Sequence, residues 1–376
     1  MAVVGLVSGC ALGDEETSAP PREGDRPRAR PLEPPKPPRR RPVVLVTVID
    51  GDTLRRVRRA RVWIGGRADA TDGRGVAKLR VLRRRSLPVA VRAPGYSART
   101  VRLPFQRGPE KTVRVYRPSL QWLLYGATPT RTQAHPAIRL RPPFRLVWSR
   151  ANGGLIEFPA VVSEGVAYVA NARGTVRAFS MRNGDVIWRR ATSSLTASSP
   201  AVVGDDLVVH GMNGRVSVLD RRNGRVRWSV DVGAAIESSP VVRYGVDYFG
   251  AWNGNVYALD LRTHRLRWVH RSGYKITSSA ALLGRALYIG DYGGRLLTLS
   301  TRTGRLLRAS SVNGKIYGTP AVAAGRVFVP SSTGNSLTAF TTGGRRLWAV
   351  HAGSYVYSSP AVWRGRVFFG SYDGYL

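Results

Sequence analysis

Cysteine, lysine and long hydrophobic runs are all scarce in this sequence of 376 residues. The one cysteine, Cys10, excludes an internal disulfide, so packing alone must hold the fold together. No segment has the about 20 successive apolar residues that a membrane-spanning helix needs. Only five of the 59 basic residues are lysine, and with 23 acidic residues the formal net charge is +36.

This excess of positive charge raises the question of nucleic-acid binding. A strong preference for arginine over lysine is also what a GC-rich genome produces. The sequence contains no helix-turn-helix, zinc-finger or RNA-binding motif. We therefore expect no nucleic acid among the partners.

The segment around Cys10 predicts an anchored protein. LVSGC at 6–10 resembles a bacterial lipobox, in which the thiol is lipidated after signal cleavage, and Ser8 and Gly9 have the small side chains that cleavage requires. The apolar run 2–7 is short and no basic residue precedes it, which a start further upstream would explain. The alternative is an incidental cysteine in an apolar terminus. We predict a signal and lipobox at 1–10 and an extracytoplasmic protein, lipid-anchored to the bacterial cell membrane.

Residues 11–42 are rich in proline and arginine, as in PPREGDRPRARPLEPPKPPRRRP at 20–42. Dense proline favours extended polyproline II and is incompatible with a packed core. We predict a linker that holds the folded parts away from the surface.

A compact β unit is predicted over 43–117. Alternating apolar residues indicate six strands, at 43–49, 60–64, 75–81, 88–93, 98–103 and 111–116. TDGRGVAKL (71–79) and VRAPGYSART (91–100) resemble the carboxypeptidase-regulatory-like, prealbumin-like β-sandwich, a non-catalytic accessory module. The matched residues form turns, so the resemblance implies a fold and no binding site.

The charge of this unit permits two interpretations. It has 19 basic and 5 acidic side chains. Its loops either contact anionic lipid or a cell-wall polymer, reinforcing a weak acyl anchor, or are a solvated basic surface. Binding to anionic vesicles at low salt separates the two interpretations, because a merely solvated surface would not bind.

A 40-residue repeat fills the rest of the chain. Five tryptophans lie on one grid, interrupted only by Arg308: Trp148, Trp188, Trp228, Trp268 and Trp348. Prolines keep the same step, with Ala280 in one place: Pro159, Pro200, Pro240, Pro320 and Pro360. Between each proline and tryptophan, four short apolar segments are separated by turns such as Asn-Gly, which favours tight hairpins. Four strands in about 40–45 residues are typical of a propeller blade.

NGRVSVLDRRNGRVRW (213–228) and NGNVYALDLRTHRLRW (253–268) resemble the quinoprotein-like, PQQ-repeat β-propeller family over 144–376. In that family the tryptophan docks between blades, which implies inter-blade packing for Trp188, Trp228, Trp268 and Trp348. A strap at 118–143, with Trp122 and Tyr125 as packing residues, would lead into the first blade. We predict an all-β chain, in which the sandwich is followed by a quinoprotein-like β-propeller of about six four-stranded blades, the last of them incomplete.

Closure of the ring depends on the two ends of the repeat region. Phe144 to Trp148 has the pattern of a fourth strand without a blade before it, and the sequence ends where a third strand should follow Pro360. We expect 144–148 to complete the last blade. The shortage of a third strand leaves two interpretations, an imperfectly closed ring or a truncated reading frame.

Loops that join the second and third strands of a blade emerge on the same face as the loops between blades. Side chains distant in sequence therefore converge around the channel. The candidate ligand-binding residues are Glu157, Glu237, Trp252, Tyr274, Lys275, Asp291, Tyr292, Tyr317, Tyr357, Tyr372 and Asp373. Aromatic planes with convergent polar groups suit a sugar, a quinone or a peptide strand. The alternative is that the tyrosines plug the channel.

The resemblance also raises the possibility of a PQQ-dependent dehydrogenase, which would need PQQ, a calcium ion and an aspartate base. No calcium-ligand motif is present, and adjacent cysteines, which many alcohol-oxidising members join in a disulfide, are absent. We expect no catalytic residue, metal or cofactor, with PQQ and calcium only under this alternative.

The predicted function is that of a non-catalytic cell-envelope lipoprotein whose aromatic loop face binds an extracellular carbohydrate or protein. A scaffold similar to the propeller lipoprotein of outer-membrane assembly is a further alternative.

Overall fold

The computed structural model describes residues 43–81, 86–104, 108, 110–138, 141–192 and 195–376. The predicted lipobox and linker, Cys10 included, lie outside these residues. Residues 42–376 form one compact unit. Its described part consists of β-strands and one 3-10 helix, Pro118–Leu120, and none of its helices could cross a bilayer.

The N-terminal part has seven strands in two sheets. The strands are β1 (Val43–Asp50), β2 (Arg61–Ile64), β3 (Arg67–Ala70), β4 (Val76–Arg80), β5 (Leu87–Arg92), β6 (Arg99–Leu103) and β7 (Glu110–Val115). One sheet has the order β4-β1-β7 and the other β3-β2-β5-β6. Strand β1 pairs antiparallel with β4 and parallel with β7. Alternate residues of each sheet, such as Val46 and Val62, are buried in one shared core.

The sequence pattern missed strand β3. Its residues, RADA, lack the apolar alternation that marked the other six strands. Gly65 and Gly66, both with positive φ, form the tight turn that folds β3 back onto β2. The strand therefore arises from the turn before it rather than from its own hydrophobic pattern.

The repeat region folds into five four-stranded antiparallel sheets, each built from four successive strands. Sheet 1 contains β8 (Val161–Ser163), β9 (Val166–Ala170), β10 (Thr175–Ser180) and β11 (Val186–Ala191). Sheet 2 contains β12 (Ala201–Val203), β13 (Asp206–His210), β14 (Arg215–Asp220) and β15 (Val226–Asp231). Sheet 3 contains β16 (Val241–Arg243), β17 (Val246–Gly250), β18 (Asn255–Asp260) and β19 (Arg265–Arg271).

Sheet 4 contains β20 (Ala281–Leu283), β21 (Ala286–Gly290), β22 (Arg295–Ser300) and β23 (Leu306–Ser311). Sheet 5 contains β24 (Ala321–Ala323), β25 (Arg326–Ser331), β26 (Ser336–Thr341) and β27 (Arg346–His351). A sixth sheet has two strands, β28 (Ala361–Trp363) and β29 (Arg366–Phe368). First strands of neighbouring sheets contact each other, as β8 and β12 do, which places them around a common axis.

Tryptophans of the grid join neighbouring sheets. The Trp188 indole donates to the carbonyl of Arg221, 33 residues further on, and Trp268 donates in the same way to Thr301. Each ring lies on a turn glycine of the next sheet, Gly224 or Gly304, where an added Cβ would be 2.5 Å from the indole. The predicted inter-blade packing is confirmed at these two positions.

Trp228 and Trp348 of the grid differ. Trp228 stacks on His264, with ring centroids 4.2 Å apart, because histidine stands there in place of the turn glycine. Trp348 is 37% exposed and packs on Phe328 of its own sheet.

The prediction that 144–148 completes the last sheet is wrong. These residues form no strand, and Phe144, Leu146 and Val147 are exposed. A fourth strand needs a third strand to pair with, and among the described residues the sixth sheet has only two. The Trp148 indole nevertheless docks on sheet 1 in the manner of Trp188, since it packs on Gly184 and donates to Met181, 33 residues further on.

The strap connects the sheets at their inner strands. Trp122 forms a bridge with Val162 of β8. The carbonyls of strap residues accept hydrogen bonds from the first strands of sheets 2, 4, 5 and 6, in the pairs Leu123–Val202, Pro129–Leu282, Thr130–Val322 and Thr132–Val362. Tyr125 is buried, as predicted, and Trp122 packs against the core of sheets 1 and 2. One non-repeating segment thus ties five of the six sheets together.

Arg131 of the strap supplies the contact with sheet 3. It is fully buried, and its guanidinium donates to the carbonyls of Ser239 and Pro240, before β16, and of Tyr125 and Ala280. Burial lowers the pKa of Arg131 to about 10, so the side chain stays charged at neutral pH.

Candidate functional site

A belt of hydroxyl groups surrounds the axis. The backbone N–H of each member donates to the hydroxyl 40 residues further on, in the pairs Ser199–Ser239, Ser239–Ser279, Ser279–Thr319 and Thr319–Ser359. The strap meets the belt where Tyr125 donates its phenol proton to Ser359 at 2.9 Å. The Ser-Ser-Pro and Gly-Thr-Pro motifs, and Ser279 in Ser-Ser-Ala, therefore add a third set of links between sheets to those of the tryptophans and the strap.

The end of the axis at which the inter-sheet loops meet is called the mouth here, and Glu237 lies there with Trp252, Lys275, Tyr292 and Tyr317. Glu237 is 6% exposed, and it accepts hydrogen bonds from the Trp252 indole at 2.9 Å and from the Tyr317 hydroxyl. Burial is the main cause that raises the pKa of Tyr317, and the hydrogen bond with Glu237 is the second. The phenol therefore stays a donor. Because Glu237 precedes sheet 3 and Tyr317 precedes sheet 5, their bond joins non-adjacent sheets.

Two lysines lie against the aromatic rings of the mouth. The Lys275 Nζ is 3.2 Å from the ring centroid of Trp252 and 5.2 Å from that of Tyr292. The Lys315 Nζ is 5.5 Å from the same Tyr292 ring. Burial lowers the pKa of Lys275, and the charge of Lys315 lowers it too, while Glu237 acts in the opposite direction. The rings hold both ammonium groups by cation–π attraction.

A group of tyrosines continues the mouth toward sheet 6. Tyr357 packs edge-on against Tyr317, with centroids 5.0 Å apart, and also contacts Tyr355 and Tyr372. A cavity of about 360 Å³ opens beside them, lined among others by Tyr125, Glu157, Thr277, Tyr317 and Tyr357. Burial is the main cause that raises the pKa of Glu157, and the charge of Glu237 is the second.

Three of the predicted ligand-binding residues stabilise loops instead of joining the cluster of lysines and aromatic rings at the mouth. Asp291 is fully buried, caps its own turn and pairs with Arg295 at 2.7 Å. Tyr274 lies under the Arg295 guanidinium. Asp373 accepts hydrogen bonds from the N–H groups of Gly353 and Tyr375. The structure therefore brings together Glu157, Glu237, Trp252, Lys275, Tyr292, Tyr317, Tyr357 and Tyr372.

The donor groups at the mouth do not fit a calcium-bound quinone. Calcium takes six to eight oxygen ligands. Glu157 and Glu237 are the carboxylates of the group just named, and both oxygens of Glu237 already accept hydrogen bonds. No cluster of three His, Cys, Asp or Glu residues suited to a metal occurs in the described part of the chain.

A larger cleft, of about 560 Å³, lies between β6 and sheets 1 and 2. Glu164 at its edge pairs with Arg221 at 3.0 Å and with Arg99 at 3.8 Å, which links the N-terminal part to the propeller. The Gln121 side chain adds to this junction by accepting from the Glu164 N–H. Since these charges hold two parts of the chain together, we place the functional site at the mouth.

Sequence reasoning missed two buried polar groups. The first is Arg131, for which the strap has no repeat pattern to indicate a role. The second is the pair of His210 and Asp247, whose Nε2 and Oδ2 are 2.8 Å apart and whose side chains are fully buried. His210 also contacts the carbonyl of Ser238 through Nδ1. The one indication of a structural role is that both residues lie on strands whose side chains are mostly buried.

Known proteins share the fold of the repeat region. The profile of a PQQ-repeat family described as outer membrane protein assembly factor BamB matches residues 145–280 and 252–376, more than half of the chain. A search of curated proteins gave no match.

Two solved structures show a similar fold. The crystal structure of BamB from Moraxella catarrhalis is 17% identical, with a TM-score of 0.53 over 77% of both chains. The computationally designed Ika8 protein is 18% identical, with a TM-score of 0.51 over 58% of this chain and 68% of its own. At these identities the likeness concerns the fold alone, and it confirms the predicted PQQ-type β-propeller.

Proposed function

The chain belongs to the PQQ-repeat family described as outer membrane protein assembly factor BamB, and we propose that it is a non-catalytic scaffold of the bacterial cell envelope. Its mouth would bind a polypeptide partner. The cluster of Trp252, Lys275, Glu237 and Tyr317 above the cavity supports this proposal. Rigid aromatic side chains beside a few convergent polar groups are typical of protein-binding hot spots.

A polypeptide suits this mouth better than a carbohydrate. A sugar ring would stack on an open aromatic face, but the Lys275 ammonium covers Trp252 at 3.2 Å. Tyr292 is flanked by both lysines. An extended peptide can place side chains between these groups and donate or accept through its backbone.

The absence of catalysis is part of the proposal. A general base must be free to take a proton. Glu237, the most buried carboxylate of the mouth, accepts from two donors, which favours a structural role. Turnover of an alcohol after PQQ and calcium are added would contradict this part.

Peptide binding tests the proposed function. We would titrate the full chain by calorimetry with synthetic ten-residue peptides from strands of outer-membrane β-barrel proteins, and with chitooligosaccharides. We expect micromolar binding of a peptide. Trp252→Ala and Tyr372→Ala should weaken it about tenfold or more, because both side chains are exposed in the free protein and aromatic side chains that a partner buries carry much of such binding energy.

Trp363→Ala is the matched control, since this tryptophan is 36% exposed and lies on β28 outside the mouth. An equal loss with Trp363→Ala would place the site elsewhere. Binding of oligosaccharides and of no peptide would contradict the polypeptide proposal.

We also propose that Cys10 carries a lipid that attaches the scaffold to the cell membrane. The lipobox-like LVSGC supports this. In a bacterial host given labelled palmitate, the full chain should take up label and Cys10→Ser should not. Equal labelling of the two chains would contradict the anchor.

The N-terminal unit we propose to be a carboxypeptidase-regulatory-like sandwich. Its two sheets of three and four strands over one core support the assignment. A superposition on such domains that showed a different strand order would contradict it.

A further inference from the structure

Lysine is rare in this protein, yet two of its five lysines lie together at the mouth. The other 54 of its 59 basic residues are arginine. Lys275 and Lys315 occupy equivalent positions one repeat apart, and both ammonium groups are within 5.5 Å of the centroid of Tyr292. Two like charges near one ring repel each other.

Neither ammonium group has a hydrogen-bond or ion-pair partner within the described residues. Two arginines of the same repeats do have such partners, Arg267 in Asp260 at 2.7 Å and Arg295 in Asp291 at 2.7 Å. Glu237 is near enough to influence Lys275, but its oxygens accept from Trp252 and Tyr317. The charge of Glu237 offsets part of that of Lys275, but no carboxylate among the described residues contacts either ammonium group directly.

We propose that Lys275 and Lys315 together bind a carboxylate side chain of the polypeptide partner, next to the ring of Tyr292. This proposal rests on the proposed function and specifies which polypeptides the mouth selects. A carboxylate between the two ammonium groups would compensate both charges and relieve their repulsion. Lysine suits the task because its flexible stem lets the charge move from the ring to the ligand.

Calorimetry with defined probes tests the proposal on the full chain. The probes are two blocked peptides with the sequence of the tightest peptide found above, differing only in a central Glu or Gln, and inorganic phosphate as a free anion. We expect the Glu peptide to bind about tenfold more tightly than the Gln peptide, the effect of one charge-assisted contact. Lys275→Gln and Lys315→Gln should each remove most of this preference.

Two controls make the result specific. Lys78→Gln changes an exposed lysine on β4 and should leave the preference unchanged. Lys315→Arg keeps the charge and should retain most of the preference. Far-ultraviolet circular dichroism of each variant shows that it is folded, and Lys315 serves as the second site if Lys275→Gln unfolds.

The outcomes separate this inference from the proposed function. Equal binding of the Glu and Gln peptides overturns the lysine pair as a carboxylate site and leaves polypeptide binding in place. Phosphate binding that both Lys→Gln variants lose, without peptide binding, supports an anion site but overturns the polypeptide ligand. Absence of peptide and phosphate binding overturns both proposals.

Discussion

Replacing Arg131 with methionine should lower the free energy of unfolding by on the order of 3–5 kcal/mol. Arg131 is fully buried, and its guanidinium donates to the carbonyls of Tyr125, Ser239, Pro240 and Ala280. Methionine has a similar length but no donor, so the four carbonyls would stay buried without their partner. Each unsatisfied buried group costs about 1–3 kcal/mol, and relaxation of the strap offsets part of that sum.

Replacement of a buried charge by an apolar residue can be neutral when a whole ion pair is removed. Arg131 differs, because its hydrogen-bond partners are main-chain carbonyls that no substitution removes. The loss should also loosen the strap, since this side chain supplies its contact with sheet 3.

Urea unfolding followed by tryptophan fluorescence measures the effect. Arg302→Met is the matched control, because Arg302 is exposed in a turn, and it should change the free energy of unfolding by less than about 0.5 kcal/mol. Hydrogen exchange of Val202, Leu282 and Val322, whose amides donate to the strap, should accelerate in Arg131→Met. Unchanged stability and exchange would show that the strap does not depend on Arg131.

Replacing Trp268 with alanine should lower the free energy of unfolding by about 3–5 kcal/mol, the usual range for loss of a buried aromatic residue. Trp268 fills the space between sheets 3 and 4, lies on Gly304 and donates to Thr301 at 3.0 Å. Its removal leaves a cavity at the junction that Gly304 has no side chain to fill, and the Thr301 carbonyl keeps only the longer hydrogen bond from the Tyr248 hydroxyl, at 3.3 Å.

Two further variants separate the contributions of packing, hydrogen bonding and inter-sheet docking to this loss of stability. Trp268→Phe keeps much of the packing and loses the hydrogen bond, so it should cost less than the alanine variant. Trp348→Ala removes a residue that is 37% exposed and should cost about 1–2 kcal/mol. If Trp348→Ala proved as harmful as Trp268→Ala, inter-sheet docking would not be the source of the stability.

Features that depend on local sequence were predictable, and features that depend on contacts between distant segments were not. Six of the seven N-terminal strands were predictable, because alternation of apolar residues is a local property. Strand β3 was not, because the turn at Gly65 and Gly66 and its pairing with β2 produce it. Residues 144–148 have the pattern of a strand but lack a neighbour to pair with.

The candidate site shows the same limit. The repeat predicted which loops meet at the mouth, and Glu237, Trp252, Lys275 and Tyr317 do meet there. It could not show that Asp291 would turn inward to Arg295 instead. Both aspartates and tyrosines are common in loops, and their direction depends on which donor or ring lies nearby.

By itself, the sequence determined the all-β composition, the 40-residue repeat and the propeller family, because hairpin turns and tryptophans recur at positions that each repeat specifies locally. Only the tertiary structure decided how the ring is joined and what its mouth presents. The strap binds the sheets mainly through main-chain carbonyls and one buried arginine, which have no repeat signature. The two lysines share one tyrosine ring only after separate sheets have packed around the axis.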